Sequence, residues 1–267
     1  MICLKFDLSH IEFNHYDIKR GINLPQQPSE ELAELVGIVL GDGNMHKTEN
    51  CITITGSLED YYYYNLTVIP IIKKLFNIIP FLKRRKDRNS YYLFFNSQAI
   101  MSFLHETLNM CRGNKINARI PNFVYSDTKF IQSLLRGLFD TDGCLKFSKQ
   151  TKNIHYYPRV EIGFKQSNLI FEIKELIKSL NINYSSWKEN QTNPFVKFQI
   201  SGINNLEKWM RFVVPNNPVH KTKYFFWKKF GYYIPNSSLS YRVKSLNLNM
   251  NNLSHDLSSL MNSPVEE

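Results

Sequence analysis

The sequence predicts an α+β protein built from two copies of one unit, ordered helix, strand, strand, helix, strand, strand, helix. Three observations carry this reading. The apolar and turn patterns that begin near Ser29 run through that order once and begin it again near Ser126. Gly37, Asp42 and Gly43 recur as Gly137, Asp142 and Gly143, an offset of 100 residues. Each first helix also carries small residues four apart, Gly37 and Gly41 in one, Gly137 and Thr141 in the other. Residues at i and i+4 share a helix face, and small ones there let two backbones approach closely.

The first helix follows Pro25 and Pro28. Ser29 suits its N-cap, Glu30 and Glu31 suit the positive end of its dipole, and Leu32 to Leu40 continue it to Gly41-Asp42-Gly43. From Leu35 it is apolar all round, so it should be buried on nearly every side. Strands are expected near Asn44–Thr48 and Cys51–Gly56, the latter from the β-branched run Ile52-Thr53-Ile54-Thr55. Ser57 to about Asn77 reads as a helix that Pro70 should kink or bound. Strands at Phe81–Lys86 and Ser90–Asn96 and a helix from Gln98 to about Met110 complete the copy.

In the second copy, Ser126 and Asp127 open a helix that ends at Asp140-Thr141-Asp142-Gly143. Strands near Cys144–Lys149 and Tyr156–Phe164, a helix over Asn168–Leu180, strands near Tyr184–Lys188 and Phe195–Ser201, and a helix over Asn204–Phe212 follow. One more helix, about Thr222–Phe230, ends the patterned region. The chain therefore divides into a lead (1–28), a first half (29–120), a second half (121–235) and a flexible tail (236–267), where Asn, Ser and Leu alternate without turn signals.

Composition narrows the function. The 267 residues are 43% hydrophobic, enough for a core. Lys plus Arg is 33 against 23 Asp plus Glu, a net charge of +10, which favours a polyanionic partner. No run approaches the ~18 apolar residues of a membrane span. Lys5, Asp7 and His10 argue against a secretory signal, and Cys3, Cys51, Cys111 and Cys144 are too scattered for a zinc site or disulfide framework. An intracellular protein is expected, in a microbial cytoplasm or nucleoid or in an organelle matrix. Neither GxxxxGK[ST] nor GxGxxG occurs.

The two helix ends carry the chemistry. Leu35-Val36-Gly37-Ile38-Val39-Leu40-Gly41-Asp42-Gly43 and Leu135-Arg136-Gly137-Leu138-Phe139-Asp140-Thr141-Asp142-Gly143 each place a carboxylate at a helix C-terminus, where the dipole is already negative. Asp-Gly after a helix is also ordinary turn chemistry. Its recurrence at one offset, on helices with the same small-residue face, points instead to two acids brought together. Like charges side by side require a cation, and carboxylates with the carbonyls around Gly41 and Thr141 make an all-oxygen site suited to Mg²⁺ or Mn²⁺.

These segments resemble the two LAGLIDADG motifs of a single-chain homing endonuclease. The second matches closely, and the first departs at its sixth position, where Leu40 stands in place of an acid. The resemblance covers about Ser29 to Tyr233. It implies two pseudo-twofold-related αββαββα halves packed through the motif helices, each laying a curved antiparallel sheet on DNA. It further implies that Asp42 and Asp142 bind catalytic metal, one acid serving each strand, with Lys115 and Lys221 as supporting lysines and Lys223 close behind. Charges expected at DNA are Lys83 and Arg85 (or, on the other strand face, Arg84 and Lys86), Arg88, Lys146, Lys149, Lys165, Lys188, Lys197 and Lys223.

The function so implied is a monomeric, metal-dependent endonuclease making a double-strand break in a long, asymmetric DNA target, in the service of intron homing. The alternative on the same fold is an RNA maturase acting on intron RNA. Retained Asp42 and Asp142 argue against a regulator that has lost cleavage. Met1 in place of Cys or Ser, and the lack of a His-Asn ending, favour an intron-encoded protein over an intein domain.

Overall fold

The computed structural model describes residues 5–165, 168–188 and 195–262. A short helix, α1 (His15–Lys19), precedes the first copy. Its Asp17 is fully buried, pairs with Arg20 at 3.1 Å and accepts from the Ala99 N–H at 3.0 Å, so the lead caps a later helix rather than hanging free.

The first copy holds α2 (Glu30–Leu40), β1 (Gly43–Met45), β2 (Cys51–Ser57), a helix spanning α3 (Tyr61–Tyr63) and α4 (Ile69–Phe76), β3 (Phe81–Arg85), β4 (Ser90–Asn96) and α5 (Gln98–Ser102). Ser29 caps α2 by accepting from the Leu32 N–H at 3.1 Å. Between α3 and α4 the backbone widens into a π-turn over Tyr64–Val68, where the Ile69 N–H reaches back to the Tyr64 carbonyl. Pro70 follows at once and has no N–H to give the preceding turn, so the helix loosens there without breaking. A second π-turn, Phe103–Thr107, extends α5.

The second copy holds α6 (Thr128–Asp142), β5 (Gly143–Ser148), β6 (Tyr157–Lys165), α7 (Asn168–Ser179), β7 (Ser185–Lys188), β8 (Phe195–Ser201), α8 (Ile203–Val213) and α9 (Pro218–Phe230). The last of these starts four residues before the sequence reading. Asn217 caps it, accepting from the Val219 N–H at 2.9 Å, and Pro218 supplies a first helical residue that needs no donor.

Each copy forms one four-stranded antiparallel sheet, in the orders β1-β2-β4-β3 and β5-β6-β8-β7. The fold is α+β and its two halves share one topology. One face of each sheet carries the alternate buried residues, such as Ile52, Ile54, Leu93 and Phe95 in the first and Val160, Ile162, Phe198 and Ile200 in the second. The opposite faces are left open. Helices α2 and α6 pack between the halves, and their residues from Leu32 to Leu40 and from Leu134 to Asp140 are almost wholly buried.

The segment read as a flexible tail is instead helical: α10 (Leu239–Ser245) and α11 (Leu253–Asn262) pack against α9. Leu239, Val243, Leu253 and Leu257 form a small separate apolar cluster with Tyr62 and Phe225 around it. The i, i+4 spacing is there in the sequence, diluted by Asn and Ser. The fully buried Arg242 anchors the segment. It donates to the Thr222 hydroxyl (3.0 Å), the Tyr233 hydroxyl (3.3 Å) and the Ser237 carbonyl, and pairs with Glu59 at 3.6 Å. No helix among the described residues is long and apolar enough to cross a membrane.

Candidate active site at the paired helix ends

The small residues of α2 and α6 set the distance between them. A Cβ on Gly37 would lie 2.2 Å from the Leu134 carbonyl oxygen, and one on Gly137 would lie 2.2 Å from that of Glu34. One turn on, a Cβ on Gly41 would lie 2.1 Å from the Thr141 hydroxyl oxygen and 3.5 Å from a carboxylate oxygen of Asp142. The two backbones thus touch down to their C-terminal ends, which brings Asp42 and Asp142 together. Each acid stands where its helix hands over to its sheet. Gly43 opens β1, Gly143 opens β5, and the Asp42 carbonyl accepts from the Thr55 N–H of β2 at 3.3 Å.

The electrostatics follow from the crowding. Burial and the neighbouring Asp142, with Asp60 beyond it, push Asp42 up to about 7. Burial lifts Asp142 to about 6, against the pull of Lys115. The Lys115 ammonium donates to the Leu40 carbonyl at 2.9 Å and to the Gly41 carbonyl, capping the end of α2 beside both acids. Burial lowers its own pKa while the two carboxylates raise it. A cavity of about 460 Å³ opens here, lined by Leu40, Gly41, Lys115, Asp142, Gly163 and Phe195 among others.

Lys221 does not take the equivalent place on α6. It is buried, and the charges it feels are those of Asp140, Arg136 and Glu34. These form a polar knot between the halves. Arg136 donates to Glu34 at 3.1 Å, the Asn216 side chain donates to Glu34 at 2.7 Å, and the Asn216 N–H donates to Asp140 at 2.6 Å. Burial raises both Glu34 and Asp140. The α6 end is capped by Asn217, whose amide donates to the Asp140 carbonyl at 2.9 Å and to Asp60 at 2.9 Å. Lys223 sits on α9 near His220, away from the two acids. His220 stacks on Phe139 at 4.4 Å and is pushed down to about 3, chiefly by burial, so it stays neutral.

Asp60 and Asn217 were not read from the sequence. Asp60 lies in Ser57-Leu58-Glu59-Asp60, an ordinary capping pattern, and its carboxylate does accept from the Ser57 N–H at 2.7 Å and hydroxyl at 2.8 Å. Only the fold shows that the same carboxylate also faces the second half.

A divalent cation fits the donor set. Two half-buried carboxylates side by side raise the cost of ionisation, and a hard ion between them would relieve that penalty with oxygen ligands of the kind it prefers. Asp42 and Asp142 would hold it. Gly41 already gives its carbonyl to Lys115, and the Thr141 hydroxyl turns back to the Gly137 carbonyl at 2.8 Å, so neither side reaches the ion without exchange. Among the described residues no cluster of three or more His, Cys, Asp or Glu offers a richer site.

The open sheet faces flank this site. Lys83 and Arg85 stand on the open face of the first sheet, where Lys83 lies 5.1 Å over the Phe94 ring and Arg85 5.0 Å over Tyr92. Arg88 is exposed in the β3–β4 turn, 3.6 Å from Asp87. Lys146 and Lys197 stand on the open face of the second sheet, Lys146 paired with Glu161 at 2.6 Å. Lys149 lies in the β5–β6 loop, donating to Asn153 at 2.8 Å. Lys188 pairs in register with the buried Val196 and so belongs to the opposite face. The side chain of Lys165 lies outside the described residues.

Known proteins share this fold and parts of this sequence. Residues 129–210 match the LAGLIDADG-like domain family. Over 175 residues the chain is 26% identical to a glutamine–fructose-6-phosphate aminotransferase of Methanocaldococcus jannaschii and 23% identical to an uncharacterized protein of the same archaeon. The match covers 64% of this chain, but only 15% and 62% of those relatives. The LAGLIDADG homing endonuclease I-LtrWI, solved on its target DNA, superposes with a TM-score of 0.50 at 12% identity, covering 87% of this chain and 95% of that one. I-DmoI in complex with DNA and Mn gives 0.48 at 14% identity, covering 69% and 96%. The duplicated topology, the two motif helices in contact and the matched second half together give this chain the two-motif LAGLIDADG fold.

Proposed function

We propose that the protein is a site-specific endonuclease that makes a double-strand break in a long, asymmetric DNA duplex, with Mg²⁺ or Mn²⁺ as cofactor. The observation that carries this is the pair of half-buried carboxylates, Asp42 and Asp142, at two touching helix ends between two open sheets. Such a pair costs the fold stability near neutral pH, since desolvation and like charge make each acid harder to ionise.

The residues divide the work. Lys83, Arg85 and Arg88 on one side, with Lys146 and Lys197 on the other, fix the duplex by its phosphates. Asp42 and Asp142 would hold the metal, one acid serving each strand. When bound, the ion polarises a phosphoryl oxygen and acidifies a water molecule. Lys115 neutralises the phosphate or steers the attacking water at one centre. Asn217 and Asp60 border the other, where an amide and a carboxylate can orient water by hydrogen bonds but supply no positive charge.

Two unlike halves in one chain imply a target without a palindrome. The test is incubation of the protein with Mg²⁺ and a plasmid library of randomised inserts, followed by sequencing of linearised molecules. Recurrent cut ends in the wild type and their loss in Asp42→Asn and Asp142→Asn support the proposal. Cutting by those variants at the wild-type rate sinks it.

A further inference from the structure

The open faces of the two sheets are chemically different. On the first, residues opposite one another in register make rows across the strands. Asn44, Thr53, Phe94 and Phe81 form one row, and Thr55, Tyr92 and Lys83 the next. The rings make a continuous strip, Phe81 on Phe94 at 5.3 Å and Tyr92 against Phe94 at 5.4 Å, and Phe81 is 63% exposed. Thr53 and Thr55 add methyl groups beside the strip. The two cations of this face lie flat on the rings, and no acidic residue stands on it among the described residues.

The second sheet presents hydrogen-bonding groups in the same rows. Cys144, Glu161, Gln199 and Ser185 form one, Lys146, Arg159 and Ser201 another, and Lys197 stands beside Trp187. Arg159 donates to Gln199 at 3.3 Å and Lys146 to Glu161 at 2.6 Å, so the polar heads form a lattice across the face.

Side chains that meet the major groove recognise bases by what they carry. Threonine methyls and phenyl rings contact the thymine methyl, Arg and Lys bind the guanine O6 and N7, Gln binds adenine, and Glu accepts from cytosine N4. Resting on the reading of the protein as a DNA endonuclease, we infer that its two half-sites differ in base class. The half under the first sheet is A·T-rich and recognised largely through thymine methyls. The half under the second sheet contains G·C pairs recognised by Arg159 and Glu161.

The test uses the full chain with Ca²⁺ in place of Mg²⁺ and reads binding, not cleavage. Duplexes selected from a random library are sequenced, and the best is rebuilt with deoxyuridine for thymidine in one half or 7-deazaguanine for guanine in the other. Each contacted thymine methyl removed should weaken binding about threefold in the first half. Loss of a guanine N7 should weaken it about tenfold in the second. Thr53→Ser, which keeps the hydroxyl and drops the methyl, should abolish deoxyuridine sensitivity at one position and leave the other half unchanged. Equal base composition in both halves, or methyl sensitivity confined to the half that Arg159→Lys disturbs, overturns the inference while leaving the endonuclease reading intact. Recovery of no specific duplex overturns both.

Discussion

The ammonium of Lys115 donates to the carbonyl of Leu40 at 2.9 Å. Among the described residues the matching carbonyl on the other motif helix, that of Asp140, takes the amide of Asn217 instead, at 2.9 Å. The two centres are related by the fold but not by charge. In low-dielectric surroundings a positive group aimed at a phosphate contributes more than a neutral donor. Lys115→Met should therefore slow cutting of one strand by about 100-fold and of the other by only a few-fold, with nicked DNA accumulating. Duplexes labelled separately on each strand measure this directly. Equal slowing of both strands would mean that Lys115 acts on the shared acid pair and not on one phosphate.

Much of this site was legible in the sequence because it rests on local chemistry repeated at one offset. Asp42 and Asp142 follow apolar helices with small residues four apart, and in the structure Gly37 lies against the backbone at Leu134 and Gly137 against that at Glu34. The strands were legible from their β-branched and aromatic alternation. What escaped was chemistry that depends on long-range approach. Lys115 and Lys221 look alike as loop lysines after a helix. Only packing sends the first to the helix end and the second into the knot of Glu34, Asp140 and Arg136. Asp60 reads as a cap because it is one, and its second role depends on a residue 157 positions away.

Lys221 accordingly tests the difference between support and catalysis. Its ammonium balances Asp140 and Glu34 in a buried setting, so Lys221→Met leaves excess negative charge there. Removing one partner of a buried charged cluster costs about 3–5 kcal/mol. Urea titration should show that loss, with the rates of cutting both strands at low temperature within a few-fold of wild type. A selective loss of one strand's cleavage without loss of stability would return Lys221 to the catalytic site.

The close contact of α2 and α6 leaves no room for a methyl group. Gly37→Ala and Gly137→Ala each force a Cβ to within 2.2 Å of a backbone carbonyl oxygen on the facing helix. Backbone cannot yield as a side chain can, so each should cost about 3 kcal/mol or more. Separation of the helices would also move Asp42 from Asp142. Cleavage should fall more steeply than stability, measured on the fraction that remains folded.

The acid pair makes stability and function oppose one another, and the sign can be worked out. Asp42 and Asp142 have folded pKa values near 7 and 6, raised above an ordinary value of 3.8 by burial first. Between about pH 4 and pH 7 the folded protein therefore holds more protons than the unfolded chain, and stability falls as pH rises through that window. Below pH 4 both states are protonated and no difference remains. The metal-free protein should melt several degrees higher at pH 5 than at pH 8. Mg²⁺ should restore most of that loss at pH 8, because the ion binds the ionised pair, and should do little at pH 5. Asn at position 42 removes one charge, so Asp42→Asn should raise the melting temperature of the metal-free protein at pH 8 while abolishing cleavage. Its melting point should also respond less to Mg²⁺. Thermal melts at pH 5 and pH 8, with EDTA or Mg²⁺, provide the measurement. An Asp42→Asn protein less stable than wild type at pH 8 would show that the two carboxylates do not repel in the fold, and the metal site would have to be sought elsewhere.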